Sequence, residues 1–336
     1  MLFHEGVRIY VAGHNGLIGS AVVRCLRREG CSNLYFRSRG DLDLRVSADV
    51  ADVFAEVRPE VVLMCAGTVG SGEGGEENVF AENLAMGTSV IEAADRVGVE
   101  RLVYVGCADV QVPRGQKPAR EAEVVGGAAW RIAEGECGAQ MACLKLGMAL
   151  REQYGNPFVG ILSSRVYGPG HRYRARGSQL IPGLMWKMLS AKRLGKAFID
   201  CREMTGGRRE WLYVDDLALA CCSALRGDVR HGVMNVAGGT LHSLSEIASV
   251  MAEVIGFRGE IRLGDVERPK DRGRLLNTQR IRSLGWLPRT SLRKGLEKTF
   301  EAFSERIDRV AFMEHDGRGS GVSFKDPPES RSRRRW

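Results

Sequence analysis

Short apolar runs alternate with longer amphipathic stretches through the first hundred residues of the chain. The apolar runs predict four strands, at residues 7–12, 34–36, 61–65 and 102–105. The stretches between them place apolar residues at helical spacing and predict three helices, over residues 17–29, 50–57 and 79–97. Because this alternation is typical of parallel sheets covered by helices on both faces, the pattern predicts an α/β fold.

The rest of the chain continues to alternate, although less regularly. It predicts helices and strands in turn: helices over residues 138–154, 215–225, 244–255 and from 291 onwards, strands at 159–162 and 211–214. Asp215 is interpreted as an N-cap, and Ser243 with Glu246 forms a capping-box pattern. We interpret the fold as a Rossmann-type doubly wound parallel sheet with a smaller C-terminal α/β substrate domain.

The two predicted domains are interleaved along the chain. Residues 1–163 and 211–242 are assigned to the Rossmann domain, and residues 164–210 and 243–314 to the substrate domain. The composition then shifts to glycine, proline, serine and arginine, which predicts a disordered basic tail over residues 315–336.

Composition and charge narrow the class of protein. The chain has 336 residues, of which 44% are hydrophobic and 27% charged, as in an ordinary globular protein. No apolar run reaches the roughly 18–20 residues of a membrane-spanning helix, and the N-terminus lacks a secretory pattern, so we expect a cytoplasmic location without membrane contact.

Nine cysteines without paired CxxC motifs favour reduced thiols over a metal site. The net charge of +8 is clustered only at residues 331–335, which makes nucleic-acid binding a weak expectation that the tail leaves open.

A glycine-rich turn follows the first strand and opens the first helix. Six residues of this turn are candidates for cofactor contact: Gly13, Asn15, Gly16, Leu17, Ile18 and Gly19. The three glycines permit a tight turn, while the helix N-terminus offers N–H groups and a positive dipole end to an anion. The turn therefore predicts a site for the pyrophosphate of a dinucleotide.

The end of the second predicted strand indicates which dinucleotide fits. An acidic residue there would bind the ribose 2′-hydroxyl of NAD, but this chain has Arg37, Ser38 and Arg39. Two arginines beside a serine suit a 2′-phosphate, which favours NADP. The alternative is that one or both arginines are solvated surface residues.

The glycine turn and three further segments occur in a characteristic order: GHNGLIGSA at 13–21, RGDLDL at 39–44, VYGP at 166–169 and REWLYVDD at 209–216. They resemble motifs of the GDP-L-fucose synthases, NADP-dependent epimerase–reductases of the extended short-chain dehydrogenase/reductase family. The resemblance covers about residues 7–312. It implies that Asp41 and Leu42 contact the adenine of the cofactor, and that a GDP-sugar is the substrate.

The resemblance also implies five catalytic groups, and this chain has replaced all of them. Family members epimerise two carbons beside the ketone of GDP-4-keto-6-deoxymannose and then reduce the ketone with NADPH. The serine, cysteine, tyrosine, lysine and histidine positions hold Cys107, Asp109, Glu136, Gln140 and Gln179. An ionised glutamate accepts hydrogen bonds, and glutamine carries no charge, so neither replaces the tyrosine–lysine pair. Because one acid–base group is worth about 10²–10⁴ in rate, we predict negligible turnover by this route.

The binding residues implied by the resemblance are partly kept. Asn15 and Thr68 stand where an arginine and a lysine are implied, so NADP binding is expected to be weakened or lost. Arg209 matches a contact to the diphosphate of the GDP-sugar, with an ion pair to a neighbouring carboxylate as the alternative. Arg274 keeps the charge of a lysine near the substrate.

Family members are homodimers that pair two long helices, here about 79–97 and 138–154. Four residues are candidates to line such a seam: Met141, Leu144, Met148 and Ala149. The same stripe is equally consistent with a core within one chain.

Three functional hypotheses follow from the sequence. The first is a pseudoenzyme that keeps the dinucleotide-binding fold for a binding or scaffold role. The second is an active epimerase–reductase with a rearranged site. The third is a structural subunit of a larger assembly that has lost the cofactor and uses its basic tail on nucleic acid.

Overall fold

A computed structural model describes residues 6–68, 75–108, 117–126, 135–171, 180–204, 207–227, 229, 232–264 and 273–315, without the side chains of 75–77, 135 and 308–315. Asp109, Gln179 and residues 316–336 of the predicted tail lie outside the described residues.

Six strands form one parallel sheet at the centre of the fold. They are β1 (Ile9–Ala12), β2 (Leu34–Tyr35), β3 (Val61–Met64), β4 (Arg101–Cys107), β5 (Phe158–Ser163) and, from much later in the chain, β9 (Val233–Val236). Their order in space is β2–β1–β3–β4–β5–β9, and every pairing is parallel. The order reverses between β1 and β3, the place where sheets of this kind form a ligand crevice beyond the carboxyl ends of their strands. The predicted doubly wound parallel sheet is confirmed.

Helices cover both faces of this sheet because the side chains of each strand alternate between two apolar cores. Ile9 and Val11 pack with α1 (Leu17–Arg28) and α7 (Val214–Arg226), which lie side by side. Tyr10 and Ala12 pack on the opposite face with α2 (Ser47–Val57), α3 (Gly75–Val97) and α5 (Gly135–Tyr154). The short helices α4 (Glu121–Gly126) and α9 (Gln279–Arg282) pack near β9.

A second group of elements lies beside the main sheet. Strands β6 (Arg165–Tyr167), β8 (Arg209–Tyr213) and β10 (Leu241–His242) form one small sheet, and β7 (Phe198–Cys201) pairs with β11 (Glu260–Leu263). Helices α6 (Leu180–Arg193), α8 (Leu244–Ile255) and α10 (Leu292–His315) complete the group and share a third apolar core.

Strand β8 joins the two parts of the molecule. Leu212 packs into the core of the main sheet, whereas Trp211 and Tyr213 point the other way into the third core. The sequence assigns these residues to the Rossmann domain, but the strand pairs with β6 and β10 and not with the main sheet. Alternation of side chains along one strand thus lets a single element serve both cores.

The two predicted helix caps have different outcomes. The capping box of α8 is confirmed: the Glu246 N–H donates to Ser243 Oγ at 3.1 Å, and the Ser243 N–H donates to Glu246 Oε2 at 3.0 Å. Asp215 is not an N-cap, because α7 begins at Val214, one residue earlier. The Asp215 carboxylate instead accepts a hydrogen bond from Arg24 of α1 at 3.0 Å.

The candidate dimer seam on α5 is largely internal. Met141 and Leu144 are fully buried in the core between α5 and the main sheet, so the intrachain alternative is correct for them. Met148 is half-buried and Ala149 is exposed. In the part of the chain that the structure describes, no helix has both the length and the apolar character needed to cross a membrane.

Candidate active site

The glycine turn between β1 and α1 is closely packed. Gly13 has a φ of +80°, and a Cβ there would lie 2.6 Å from the Ala66 Cα beyond β3. A Cβ on Gly19 would lie 2.1 Å from the Gly13 carbonyl oxygen. Side chains at these positions would separate the turn from the helix and from the neighbouring strand, so glycine is required at both for steric reasons.

The N-terminus of α1 is open to a ligand. Gly16 is its N-cap, makes no side-chain capping bond, and is followed by a first turn without an acidic residue. Gly16 and Asn15 are exposed, while Leu17 and Ile18 pack partly against the core. The positive end of the helix dipole therefore faces the crevice without a neutralising carboxylate.

Two aromatic rings meet beside this turn. His14 stacks on Phe36, with 4.4 Å between ring centroids. Burial lowers the pKa of His14, while the nearby Asp41 carboxylate opposes that shift. Neither His14 nor Phe36 is among the cofactor-binding residues predicted from the sequence. The signal for their contact is an aromatic residue in the glycine turn and another just after β2, the strand next to β1.

The segment after β2 forms a turn around Asp41. Its carboxylate accepts hydrogen bonds from the Ser38 hydroxyl at 2.6 Å and the Ser38 N–H at 3.2 Å. These bonds, with the positive charge of Arg37, lower the pKa of Asp41. Arg37 is half-buried and Arg39 is exposed. The Leu42 side chain is 5% exposed and belongs to the core, which anchors this turn to the sheet.

Gln140 connects the end of β4 to helix α5. Its side-chain Oε1 accepts the Cys107 N–H at 2.8 Å, and its Nε2 donates to Glu136 Oε1 at 3.1 Å. Glu136 and Gln140 are four residues apart, so they share one face of the helix. Gln140 is only 8% exposed, and its amide fills the space between strand and helix.

Thr68 continues this wall of the crevice onto α3. Its N–H donates to Asn83 Oδ1 at 2.8 Å, and its carbonyl accepts from Asn83 Nδ2 at 2.9 Å. The Thr68 hydroxyl donates to Glu82 Oε2 at 3.1 Å. The loop after β3 is thereby fixed to the long helix through a buried asparagine.

His171 ends a loop that lies against the glycine turn. A Cβ on Gly170 of this loop would lie 3.3 Å from Ser20 Oγ of α1. Burial lowers the pKa of His171 to about 4, although a hydrogen bond with the Val166 backbone opposes the shift. His171 is therefore neutral at physiological pH.

The carboxylates nearest Arg209 in sequence have other partners. Glu210 accepts the Gly239 N–H at 2.7 Å and the Leu276 N–H at 2.9 Å, and Asp215 pairs with Arg24. Arg209 itself is half-buried and donates to the Arg208 carbonyl at 3.2 Å.

Arg274 links its segment to helix α4. Its Nε donates to the Lys117 carbonyl at 2.6 Å, and its Nη2 forms an ion pair with Glu123 at 2.8 Å. The Arg274 side chain is only 10% exposed. This position therefore has a structural role, and the substrate contact expected from the sequence stays a prediction.

The architecture and the turn have a counterpart among known proteins. The model of the NAD-dependent epimerase/dehydratase family matches residues 9–237, from β1 to just beyond β9. The chain belongs to that family. The match includes the glycine turn, the wall formed by Gln140 and the β8 segment.

Relatives within this family cover almost the whole chain. A GDP-L-fucose synthase of Sinorhizobium fredii is 32% identical over 314 residues, which are 91% of this chain and 98% of the relative. GDP-L-fucose synthase 1 of Arabidopsis thaliana is 31% identical over 90% of this chain and 95% of its own length. The predicted resemblance is confirmed: the chain is a GDP-L-fucose synthase-like member of the family.

Solved structures agree on the architecture. A GDP-L-fucose synthetase from Naegleria fowleri bound to NADP has a TM-score of 0.78 at 18% identity, covering 91% of this chain and 95% of that one. UDP-glucose 4-epimerase from Thermotoga maritima has a TM-score of 0.76 at 20% identity and covers 90% of this chain and all of its own. At these identities the likeness concerns the fold alone.

The crevice of this epimerase/dehydratase family member fits a dinucleotide at its phosphate end. Because no side chain fits at Gly13 or Gly19, the turn packs directly against α1 and the end of β3, and the Gly16 N-cap of α1 stays exposed. Among the described residues, His14 Nδ1 is buried without a hydrogen-bond partner, so a polar group is available to a ligand there. Within the same described part of the chain, no three metal-ligating side chains come together.

Proposed function

We propose that this protein binds NADP(H) but does not catalyse the epimerisation and reduction after which its relatives are named. The observation that carries the proposal is the Gln140 bridge. At the two helix positions where the resemblance implies tyrosine and lysine, Gln140 donates to Glu136 and accepts the backbone N–H of Cys107. These hydrogen bonds fasten α5 to the end of β4. The reaction of the relatives would need a proton donor beside a cation at the same two positions.

Binding of the cofactor is supported at two points. The N–H groups at the start of α1 would hold the pyrophosphate against Gly13, Gly16 and Gly19. Arg37, half-buried beside the His14–Phe36 stack, would hold the 2′-phosphate of NADP. When bound, NADPH supplies a hydride.

Reduction of a ketone also needs an acid for the oxygen that the hydride leaves negative. Glu136 Oε1 accepts a hydrogen bond from Gln140, so this oxygen is engaged as an acceptor in the folded chain. Gln140 carries no charge with which to lower the pKa of a neighbour or to stabilise an oxyanion. Since each acid–base group is worth about 10²–10⁴ in rate, losing several reduces turnover below ordinary enzymatic values.

A GDP-sugar at Arg209, a homodimer and a cytoplasmic location complete the proposal. Arg209 is supported by its half-buried position at the start of the REWLYVDD segment that carries the resemblance. The dimer is supported by the resemblance to family members that pair these two long helices, and by Met148 and Ala149 of α5, which keep part of their surface accessible. Isothermal titration of the purified protein with GDP tests the nucleotide site, and light scattering tests the homodimer.

The decisive experiment measures binding and turnover on the same sample. Purified protein is titrated with NADPH by fluorescence, then incubated with NADPH and GDP-4-keto-6-deoxymannose while absorbance and product mass are followed. We expect saturable NADPH binding and no GDP-fucose, with the GDP-L-fucose synthase of Escherichia coli as the active control. GDP-fucose formed at a turnover of about 1 s⁻¹ or faster contradicts the proposal and supports a rearranged active site. Folded protein that binds no NADPH also contradicts it and supports a structural role.

A restoration variant tests whether the five substitutions account for the absence of turnover. It carries five replacements: Cys107→Ser, Asp109→Cys, Glu136→Tyr, Gln140→Lys and Gln179→His. We expect this variant to convert GDP-4-keto-6-deoxymannose faster than the parent chain, provided that circular dichroism shows it folded and NADPH still binds. The control carries only Cys107→Ser and Asp109→Cys and should stay at the parent level.

A further inference from the structure

Two buried cysteines meet where α1 packs against α7. Cys25 is 1% exposed and Cys222 is fully buried. The Cys222 thiol donates a hydrogen bond to Cys25 Sγ, with 2.9 Å between the sulfur atoms. Because a disulfide has its sulfurs about 2.0 Å apart, the two need to approach by only about 0.9 Å to bond.

The electrostatic surroundings differ between the two thiols. The hydrogen bond from Cys222 lowers the pKa of Cys25, assisted by the positive charges of Arg28 and Arg226 and opposed by burial. The pKa of Cys222 is raised by the same shared proton and by burial. Within the pair, the pKa of Cys25 is shifted towards the reactive thiolate form, while that of Cys222 is shifted the other way.

Neighbouring cysteines lack this arrangement. Burial raises the pKa of the Cys31 thiol and raises that of Cys65 to about 12. Burial also raises the pKa of Cys221, which precedes Cys222 on α7. Of these cysteines, Cys25 combines a sulfur partner at 2.9 Å with a lowered pKa.

We propose that Cys25 and Cys222 form an intramolecular disulfide when a peroxide reaches them. Cys25 loses its proton, its sulfur attacks one oxygen of hydrogen peroxide, and the O–O bond breaks to give a sulfenic acid and hydroxide, which takes up the proton lost by Cys25 and becomes water. The Cys222 sulfur then displaces the hydroxyl from the Cys25 sulfur, losing its proton, and a second water is released. Two thiols are oxidised to one disulfide while one peroxide is reduced to two waters.

The cross-link would join residues 197 positions apart in sequence. It would fasten α1, whose first turn forms the glycine-turn site, to α7, which follows the strand shared by both cores. The proposal depends on these two helices and not on cofactor binding. Its failure therefore leaves the proposed function untouched.

The test treats the folded full-length protein with hydrogen peroxide, alkylates remaining thiols after denaturation, and maps peptides without reduction. We expect a mass lower by two hydrogen atoms before alkylation, seven alkylated cysteines, and a peptide linking Cys25 to Cys222. Dithiothreitol should reverse all three changes. The oxidised protein should also unfold at a higher guanidinium concentration, because the cross-link restricts the unfolded chain.

Single alanine variants give the matched controls. Cys25→Ala or Cys222→Ala should remove the linked peptide, whereas Cys201→Ala, at a buried cysteine of the third core, should keep it. Nine alkylated cysteines after treatment of the folded parent chain, or a link between Cys65 and Cys221 in place of this one, would overturn the proposal. The mapping of the parent chain decides the matter even if a variant fails to fold.

Discussion

Gln140 accepts the backbone N–H of Cys107 at 2.8 Å and so fastens helix α5 to the carboxyl end of strand β4. A lysine at position 140 has only donors and has no acceptor to offer this N–H. The bond is therefore specific to the residue this chain carries. It explains how the wall of the crevice stays ordered without the side chains that the family resemblance implies.

Removing this amide should cost stability. We expect Gln140→Leu to lower the free energy of unfolding by about 1–3 kcal/mol, because the Cys107 N–H loses its acceptor. Gln153→Leu, at an exposed position of the same helix, is the control and should change little. Guanidinium unfolding followed by circular dichroism measures both. Equal losses in the two variants would show that the bridge contributes nothing of its own.

The packing of the glycine turn predicts a loss of both stability and binding. A Cβ on Gly19 meets the Gly13 carbonyl oxygen at 2.1 Å, so Gly19→Ala must displace the turn from the helix. We expect about 1–3 kcal/mol of destabilisation and little remaining NADPH binding. Gly126→Ala, where a Cβ meets nothing within 4 Å, provides the control. NADPH titration and thermal unfolding are the two readouts, and normal NADPH affinity in Gly19→Ala would refute the assignment of the turn.

Arg37 and Arg39 should differ in their contribution to cofactor choice. Arg37 is half-buried near the turn, whereas Arg39 is exposed, so Arg37→Ala should weaken NADPH binding about 10–100-fold. NADH lacks the 2′-phosphate, and its affinity should change much less. Arg39→Ala is the matched control. Fluorescence titrations with both nucleotides test this, and an equal effect of Arg37→Ala on NADPH and NADH would contradict it.

His171 predicts a stability change between pH 7 and pH 5. Burial lowers its pKa to about 4, so below about pH 6.5 the unfolded chain takes up a proton that the folded chain does not. Stability from this residue is therefore present above pH 6.5 and lost as the pH falls towards 4, amounting to about 2 kcal/mol by pH 5. His171→Gln should flatten this part of the pH profile relative to the parent chain. Unfolding curves at pH 7, 6 and 5 check the prediction, and a parallel profile for His171→Gln would disprove it.

Most of the main sheet could be predicted from local pattern. The strands of the first hundred residues are continuous apolar runs, and the helices between them keep a regular period. The capping box of α8 was equally readable because both of its bonds are formed between residues three positions apart. Helix α6 was not predicted, since Pro182 and Gly183 near its start discourage a helix although Pro is tolerated in a first turn. The two residues of β10, Leu241 and His242, are too few and too mixed in polarity to form an apolar run.

The candidate active site could also be predicted only in part. The spacing of Glu136 and Gln140 can be seen in the sequence. The hydrogen bond from the Cys107 N–H to Gln140 cannot, because it depends on the position of α5 along β4 in the folded chain. Arg274 shows the same limit: its partner Glu123 lies on a helix that the pattern did not predict. Side chains that bridge elements distant in sequence are set by packing, which no local pattern records.

The position of β9 has a consequence for biosynthesis. This strand completes the main sheet beside β5, yet it is encoded after β6, β7 and β8 and their intervening helices. On the ribosome, the six-stranded sheet stays incomplete until Val236 has emerged. Until then β5, whose residues are all buried in the finished fold, offers an unpaired apolar edge to other nascent chains. Translation pauses before that point should therefore make the nascent polypeptide a client of ribosome-associated chaperones.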